Sequence, residues 1–189
     1  MVEPRLIEAC IREDRLAQSE LYRRCFPVLM GICMRYCRDR DEASAILNEG
    51  FLKILRGLRK RAEQVPFEVW IRRIMINTVI DAFRKARRER ETMQALDEGA
   101  GEMAYLAPDY NEAERRLDAE QVEAMIASLP LMTRQVFNLF AIDGYSHQEI
   151  AAMLQISEGT SKWHVHAARS RVAEMIRKQL QNPKPVFHE

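Results

Sequence analysis

The sequence predicts an all-α protein made of two small helical domains, an N-terminal helical bundle and a C-terminal helix-turn-helix bundle, joined by an acidic linker. Apolar residues recur at the three- and four-residue spacing of amphipathic helices through most of the 189 residues. Only seven glycines and seven prolines are present, too few for a turn-rich β-sandwich or barrel. The charges are also segregated along the chain, which indicates separate functional segments.

The near balance of 29 basic and 28 acidic residues conceals three blocks of charge. Residues 1–90 carry 20 basic and 13 acidic side chains, a net charge of +7. Residues 91–123 carry 2 and 10, a net charge of −8, and residues 124–189 carry 7 and 5, a net charge of +2. The basic first block suits a polyanionic partner, although a solvated helix face is the commoner reason for a charge cluster.

Hydrophobic residues make up 47% of the chain, enough to build a core and too many for a wholly disordered protein. No apolar run near the start approaches the roughly 20 residues of a membrane span. The first residues also lack the pattern of a signal peptide. We therefore expect a cytoplasmic protein with no membrane insertion.

Apolar stripes at helical spacing predict helices in the first block, around residues 6–11, 21–36, 43–58 and 67–83. Pro27 lies inside the second stripe, so we expect a kink or a break there. The helix around 67–83 is apolar on one side and cationic on the other. Its basic residues are Arg72, Arg73, Arg84, Lys85, Arg87 and Arg88.

Helical periodicity fades over residues 91–118, where Gly99 and Pro108 lie among many acids, and we interpret this stretch as a linker. Helical spacing resumes beyond it, and Gly144 is suited to end a helix in the left-handed conformation. The predicted domains are residues 1–90, the linker 91–118, a second helical domain at 119–180 and a tail at 181–189.

The most informative segment runs from Ser146 to Arg171. Ser146 and Glu149 have the spacing of a capping box, which begins a short helix. Residues 155–157 form a turn, and Ser157 is placed to cap a second helix. Two short helices joined by so few residues predict a helix-turn-helix. The outward face of the second helix carries Lys162, Trp163, His166 and Arg169. Its inward face carries Val165, Ala168 and Val172.

A helix presented in this way fits the major groove of DNA, and the residues near its N-terminus reach the base edges. The alternative is an ordinary helical hairpin, in which Trp163 and His166 form a packing patch. An aromatic and an imidazole on the outer face of a cationic helix favour the DNA hypothesis.

No metal or cofactor site is predicted. The cysteines contain no CxxC pair, and no histidine lies near them in sequence, so we expect buried reduced thiols. His164 and His166 are two residues apart and point in different directions on a helix. The cysteines are Cys10, Cys25, Cys33 and Cys37.

The chain resembles the extracytoplasmic-function, or group 4, sigma factors of bacterial RNA polymerase. In the C-terminal half the resemblance lies in residues 129–130, 144–146, 149–151 and 159–162, with Arg134, Phe137 and Leu139 between them. In the N-terminal half it lies in residues 42–51, followed by Phe67, Trp70, Ile71, Ile74, Asn77, Asp81 and Arg84. The resemblance covers about residues 10–90 and 120–178 and implies a promoter-specificity subunit with no cofactor.

The resemblance implies three binding surfaces, with promoter DNA and the β′ and β subunits of core polymerase as partners. Core polymerase would contact Glu42, Ile46, Leu47, Asn48, Glu49 and Phe51. The −10 element would contact Arg72, Arg73, Asn77, Arg84, Arg87 and Arg88, with Asn77 near a flipped base. The −35 element would contact Glu158, Thr160, Lys162, Trp163, His166, Arg169 and Arg171. An anti-sigma protein is a further expected partner. The acidic linker would enter the cationic channel of the polymerase, and the alternative is a plain solvated spacer.

Some residues depart from the family pattern. Ser44 and Ala45 replace an acidic pair in the core-binding helix, and Asn48 replaces a glutamine. Either Glu42 and Glu49 compensate, or the protein binds core polymerase less tightly.

Two other classes of protein are less consistent with the sequence. A transcriptional regulator with a related helix-turn-helix would bind DNA without core polymerase, but the complete N-terminal pattern argues against it. An enzyme would need a recognisable set of reacting groups. The sequence contains no nucleophile elbow, P-loop, HExxH or Ser/His/Asp set.

Overall fold

The computed structural model describes residues 2–37, 39–62, 64–94 and 119–181. Every regular element in these ranges is helical, so the predicted all-α class is confirmed. The chain divides into two compact units, residues 1–98 and 99–189. None of the helices in the described ranges combines the length and the apolar character needed to cross a membrane.

The N-terminal unit is a bundle in which α2, α3 and α4 pack against one another and α1 lies against α2. Asp14 and Asp39 begin α2 and α3, because their carboxylates accept hydrogen bonds from the first free amides of each helix. The helices are α1 (Pro4–Ile11), α2 (Arg15–Tyr36), α3 (Arg40–Gly57) and α4 (Phe67–Gln94), with a 3-10 turn at Leu58–Lys60.

The core of this unit contains the four cysteines, all of them buried and free, as predicted. Burial raises the pKa of the Cys25 and Cys33 thiols to about 11. The Cys33 Sγ lies 3.4 Å from the Met75 Sδ. These thiols therefore act as small apolar groups. The largest fully buried side chains around them are Leu21, Leu29, Ile32, Tyr36, Leu47, Ile54, Met75 and Val79.

Two features of this unit differ from expectation. Of the kink or break expected at Pro27, the break does not occur: α2 continues through that position, because the buried stripe of Leu21, Cys25 and Leu29 runs across it. Packing of this stripe outweighs the roughly 3 kcal/mol that an internal proline costs. The helix α4 also runs to Gln94, beyond the predicted start of the linker at residue 91, since no glycine or proline intervenes.

In the C-terminal unit three helices, α5, α6 and α7, all pack against a long fourth helix, α8. Gly144 has a φ of +77°, so its predicted left-handed conformation is confirmed. The remainder of the predicted linker, residues 95–118, and the tail from residue 182 lie outside the described residues. The elements are α5 (Ala119–Ala127), α6 (Leu131–Phe137), a π-helical turn at Asn138–Ile142, α7 (His147–Leu154) and α8 (Glu158–Gln181).

Candidate nucleic-acid interface

The helix-turn-helix is formed by α7 and α8, and local hydrogen bonds fix where each helix begins. The Ser146 Oγ accepts a hydrogen bond from the Glu149 amide at 3.2 Å, and the Glu149 carboxylate accepts one from the Ser146 amide at 2.8 Å. This is the predicted capping box. The turn passes through Gln155 in the left-handed conformation, with a φ of 56°. The Ser157 Oγ then accepts a hydrogen bond from the Thr160 amide at 3.0 Å and caps α8.

The side of α8 that faces the unit's interior contains Ser161, Val165 and Ala168, all of them buried. Val172, also predicted to face inward, is half-buried. The opposite side is exposed to solvent in the described part of the chain. It exposes every residue assigned from the sequence to the −35 element, namely Glu158, Thr160, Lys162, Trp163, His166, Arg169 and Arg171.

A cluster that sequence reasoning missed connects α7 to α8 through the imidazole of His147. Its Nδ1 lies 2.9 Å from the hydroxyl of the buried Ser161, and its ring stacks on Phe140 with centroids 4.4 Å apart. The guanidinium of Arg169 lies 5.8 Å from the centre of the same Phe140 ring. The π-helical turn therefore supplies one aromatic ring that contacts both the start of α7 and an exposed arginine of α8.

A second imidazole, that of His164, joins α8 to α6. Its Nδ1 lies 3.0 Å from the Thr133 hydroxyl, and Thr133 is buried. Burial lowers the pKa of His164, so the neutral ring predominates near neutral pH. The ring meets the neighbouring Trp163 edge-on, with centroids 4.9 Å apart and planes at 75°. His164 and His166 thus differ as predicted, since His166 is exposed.

The basic side of α4 is the candidate surface for the −10 element. Arg73, Asn77, Arg87 and Arg88 are exposed, whereas Arg72 and Arg84 are half-buried. The last two also have acidic neighbours: the Arg72 guanidinium donates to the Glu68 carboxylate at 2.9 Å, and the Arg84 guanidinium lies 3.8 Å from the Asp81 carboxylate. This surface is therefore basic but partly neutralised.

Three of the residues assigned to core polymerase lie on the inner side of α3. Ile46, Leu47 and Phe51 are buried within the bundle, where they hold α3 in place. Their stripe faces inward because they lie on the side of α3 that packs against α2 and α4.

The polar residues of α3 that were assigned to core polymerase are at least partly exposed. Asn48 and Glu49 are exposed, and Glu42 is half-buried. The Tyr22 hydroxyl donates a hydrogen bond to the Asn48 Oδ1 at 3.0 Å, and the Glu49 carboxylate pairs with the Lys53 ammonium at 2.9 Å. Leu52 adds an apolar side chain that is 51% exposed. Sequence reasoning missed Tyr22 and Leu52.

No group of three or more potential metal ligands occurs within the part of the chain that the structure describes. The described helices expose cations, amides and an aromatic side chain, groups that can bind polyanions and base edges.

Comparison with known proteins matches each half of the chain to a conserved region of sigma-70 factors. The family model of sigma-70 region 2 matches residues 21–89, and that of sigma-70 region 4 matches residues 119–172. The RNA polymerase sigma-H factor of Pseudomonas aeruginosa is 26% identical over 184 residues, covering 94% of this chain and 95% of that protein. The sigma factor SigM of Mycobacterium tuberculosis is 27% identical over 174 residues, covering 90% of this chain and 83% of that protein.

A solved structure has a similar fold. It is the sigma factor RpoE of Bartonella quintana, in complex with the anti-sigma factor NepR, with a TM-score of 0.51 and 17% identity. The match covers 84% of this chain and 96% of that one. Because the models of sigma-70 regions 2 and 4 match in order and together span more than half of the chain, this protein belongs to the sigma-70 family of RNA polymerase sigma factors, and its similar relatives include extracytoplasmic-function members of that family.

Proposed function

We propose that this sigma factor directs core RNA polymerase to promoters through three surfaces: the exposed side of α3 for core polymerase, the basic side of α4 for the −10 element and the exposed side of α8 for the −35 element. The protein would act in the cytoplasm and catalyse no reaction of its own. The assignments of domains are those predicted from the sequence, residues 1–90 for core and −10 binding and 119–180 for −35 binding.

The observation that carries the proposal is the exposure of the side of α8 that bears the residues assigned to the −35 element. Its N-terminus is capped by Ser157, its inner side is buried through Val165, and Lys162 and His166 face outward. Side chains in the first turns of such a helix reach base edges in the major groove. Arg169 and Arg171 lie further along the helix, where phosphates are the expected contacts.

Selection of promoter fragments from a random-sequence pool tests the −35 assignment. The full-length protein is combined with core polymerase, and the bound fragments are sequenced. We expect Lys162→Ala and His166→Ala each to relax the preference at one or two base pairs, by about 1–3 kcal/mol. Arg171→Ala should instead weaken binding to all fragments alike. If all three variants retain the wild-type preference and affinity, the assignment of α8 is wrong.

Charge reversal on α3 tests the surface for core polymerase, and the chain offers a matched control. Glu49 pairs with Lys53 at 2.9 Å and is 58% exposed, while Glu174 pairs with Lys178 at 2.8 Å and is 57% exposed. Glu49→Lys and Glu174→Lys therefore make the same change in charge and break the same kind of helical pair. Fluorescence anisotropy with labelled protein should show about a tenfold or larger loss of core affinity for Glu49→Lys alone, as for a contact worth about 1.5 kcal/mol.

An equal affinity of the two reversed variants would reject α3 as the core-binding surface. A protein that binds duplex DNA specifically by itself and never binds core polymerase would instead support the alternative, a helix-turn-helix regulator.

We also propose that an anti-sigma protein binds this factor and holds it inactive. The support is the Bartonella quintana sigma factor RpoE, whose solved structure is a complex with the anti-sigma factor NepR. Affinity purification from cells in which the promoters of this factor are silent, and from cells in which they are active, should recover such a protein only in the silent condition. Recovery of core polymerase alone under both conditions would contradict this part of the proposal.

A further inference from the structure

The exposed side of α8 includes a large apolar side chain, that of Trp163, among its charged and polar residues. Trp163 is 61% exposed, and around the helix it lies between the exposed Lys162 and the half-buried His164. Single exposed apolar residues are common on protein surfaces. The indole of Trp163, in contrast, packs against a neighbouring ring that holds it in position.

The indole is held in place through two steps. The His164 ring packs edge-on against it, with centroids 4.9 Å apart. The His164 Nδ1 is in turn 3.0 Å from the Thr133 hydroxyl, and Thr133 is 4% exposed on the neighbouring helix α6. The hydroxyl and the imidazole thus connect an exposed aromatic on α8 to the core of the unit. A rigid aromatic loses little side-chain freedom on binding, which favours it as a recognition group.

The major groove contains one apolar group that such a surface could recognise. Base edges there present hydrogen-bond donors and acceptors, except for the 5-methyl group of thymine. The indole offers a single N–H donor and no acceptor, and the rest of its surface is apolar. Burial of that surface against a methyl group removes apolar area from water on both sides.

We propose that Trp163 is a specificity-determining residue that recognises the 5-methyl group of a pyrimidine, thymine in ordinary DNA, in the −35 element, and that His164 and Thr133 are its positioning residues. The inference rests on the proposed function, since α8 must lie in the major groove for the contact to form.

Replacement of single thymines by deoxyuridine tests the proposal directly, because it deletes the methyl group and leaves the hydrogen bonds of the base unchanged. The probe is the most enriched fragment selected by the wild-type holoenzyme. We expect one substituted position in the −35 element to lose about fourfold in affinity, the value for one buried methyl group. The same substitution should have no effect on holoenzyme containing Trp163→Ser, whereas Trp163→Phe should retain part of it.

A second pair of fragments separates the methyl group from the base that bears it. With cytosine at the sensitive position, 5-methylcytosine should regain about fourfold in affinity over unmodified cytosine for the wild type only. The positioning residues are tested with Thr133→Val, which removes the hydroxyl and should shrink the deoxyuridine effect. Thr78→Val is its matched control, because the Thr78 hydroxyl is also buried but bonds to the Ile74 carbonyl of α4. It should leave the effect unchanged.

Three results would overturn the inference. The first is that no deoxyuridine substitution distinguishes the wild type from Trp163→Ser. The second is a Trp163-dependent loss on replacing a purine by its 7-deaza analogue, which would mean that the indole N–H donates to a purine N7 instead. The third is the failure of the wild-type holoenzyme to select any fragment, which rejects the proposed function itself. The first two results differ from it because they require a selected fragment.

Discussion

Replacing Gly50 by alanine tests how closely α3 packs on α4. An ideal Cβ at Gly50 would lie 2.5 Å from the Met75 Cε and 2.8 Å from its Sδ, where carbon atoms ordinarily approach only to about 3.5 Å. Met75 is fully buried, and its Sδ already lies 3.4 Å from the Cys33 Sγ. The methionine must therefore change rotamer, or α3 must move away from α4. Overpacking of this kind costs about 1–3 kcal/mol of the free energy of unfolding.

The chain contains a matched control for the effect of alanine on the helix itself. Gly31 lies in α2, is exposed, and has no atom within 4 Å of an ideal Cβ. Alanine is favoured over glycine inside a helix by about 1 kcal/mol. We therefore expect Gly31→Ala to stabilise the protein by about 1 kcal/mol. Gly50→Ala should destabilise it by about 1 kcal/mol, because about 2 kcal/mol of overpacking outweighs the same gain.

Urea denaturation of the full-length chain measures this difference. The chain contains two tryptophans, and Trp70 lies in the N-terminal unit. In a Trp163→Phe background, tryptophan fluorescence therefore reports the unfolding of the N-terminal unit alone. Equal stability of Gly50→Ala and Gly31→Ala would refute the packing at Met75. As a further check, a Met75→Ala background removes the clashing atoms, and Gly50→Ala should then be stabilising.

The C-terminal unit yields three further predictions. Ser146→Ala removes the capping hydroxyl of α7 and should lower the free energy of unfolding by about 0.5–2 kcal/mol in calorimetry, whereas an unchanged value would contradict the capping box. Arg169→Ala should reduce the slope of the logarithm of DNA affinity against the logarithm of salt concentration by about 0.9. Phe140→Leu should reduce the slope in part, because that ring supports the guanidinium. An unaltered slope for both variants would exclude a phosphate contact. Burial lowers the pKa of His164, so the unfolded chain binds a proton more readily than the folded one. The free energy of unfolding should therefore fall as the pH falls below about 6.5. His164→Gln should flatten this pH dependence, and an equal dependence in the two proteins would contradict the prediction.

Local chemistry made some features predictable from the sequence. The capping box at Ser146 and Glu149 involves atoms only three residues apart, so its residues can be recognised without knowledge of the fold. Gly144 was predictable for the same reason, since the left-handed conformation favours glycine at the end of a helix. The exposed and buried sides of α8 followed from helical spacing.

Features that depend on contacts distant in sequence were not predictable in this way. The His147–Ser161 and Thr133–His164 hydrogen bonds join residues 14 and 31 positions apart, and nothing local marks them. The π-helical turn that places Phe140 under His147 has no sequence signal either.

The apolar residues of α3 illustrate a different limit. Ile46 and Leu47 belong to the run that resembles the core-binding region, and the resemblance alone does not distinguish a contact with polymerase from packing in the bundle. The structure adds that both side chains are buried in the bundle. Pro27 likewise favoured a kink or a break in α2, and tertiary packing keeps the helix continuous there.

Permanganate footprinting of a selected promoter, bound by core polymerase with and without this protein, tests the central claim most directly. We predict that thymines in the −10 element become reactive only when the protein is present, as expected if it opens the duplex there, and that Asn77→Ala greatly weakens this reactivity. Unpaired thymines that form without the protein, or a duplex that stays closed in its presence, would contradict the account.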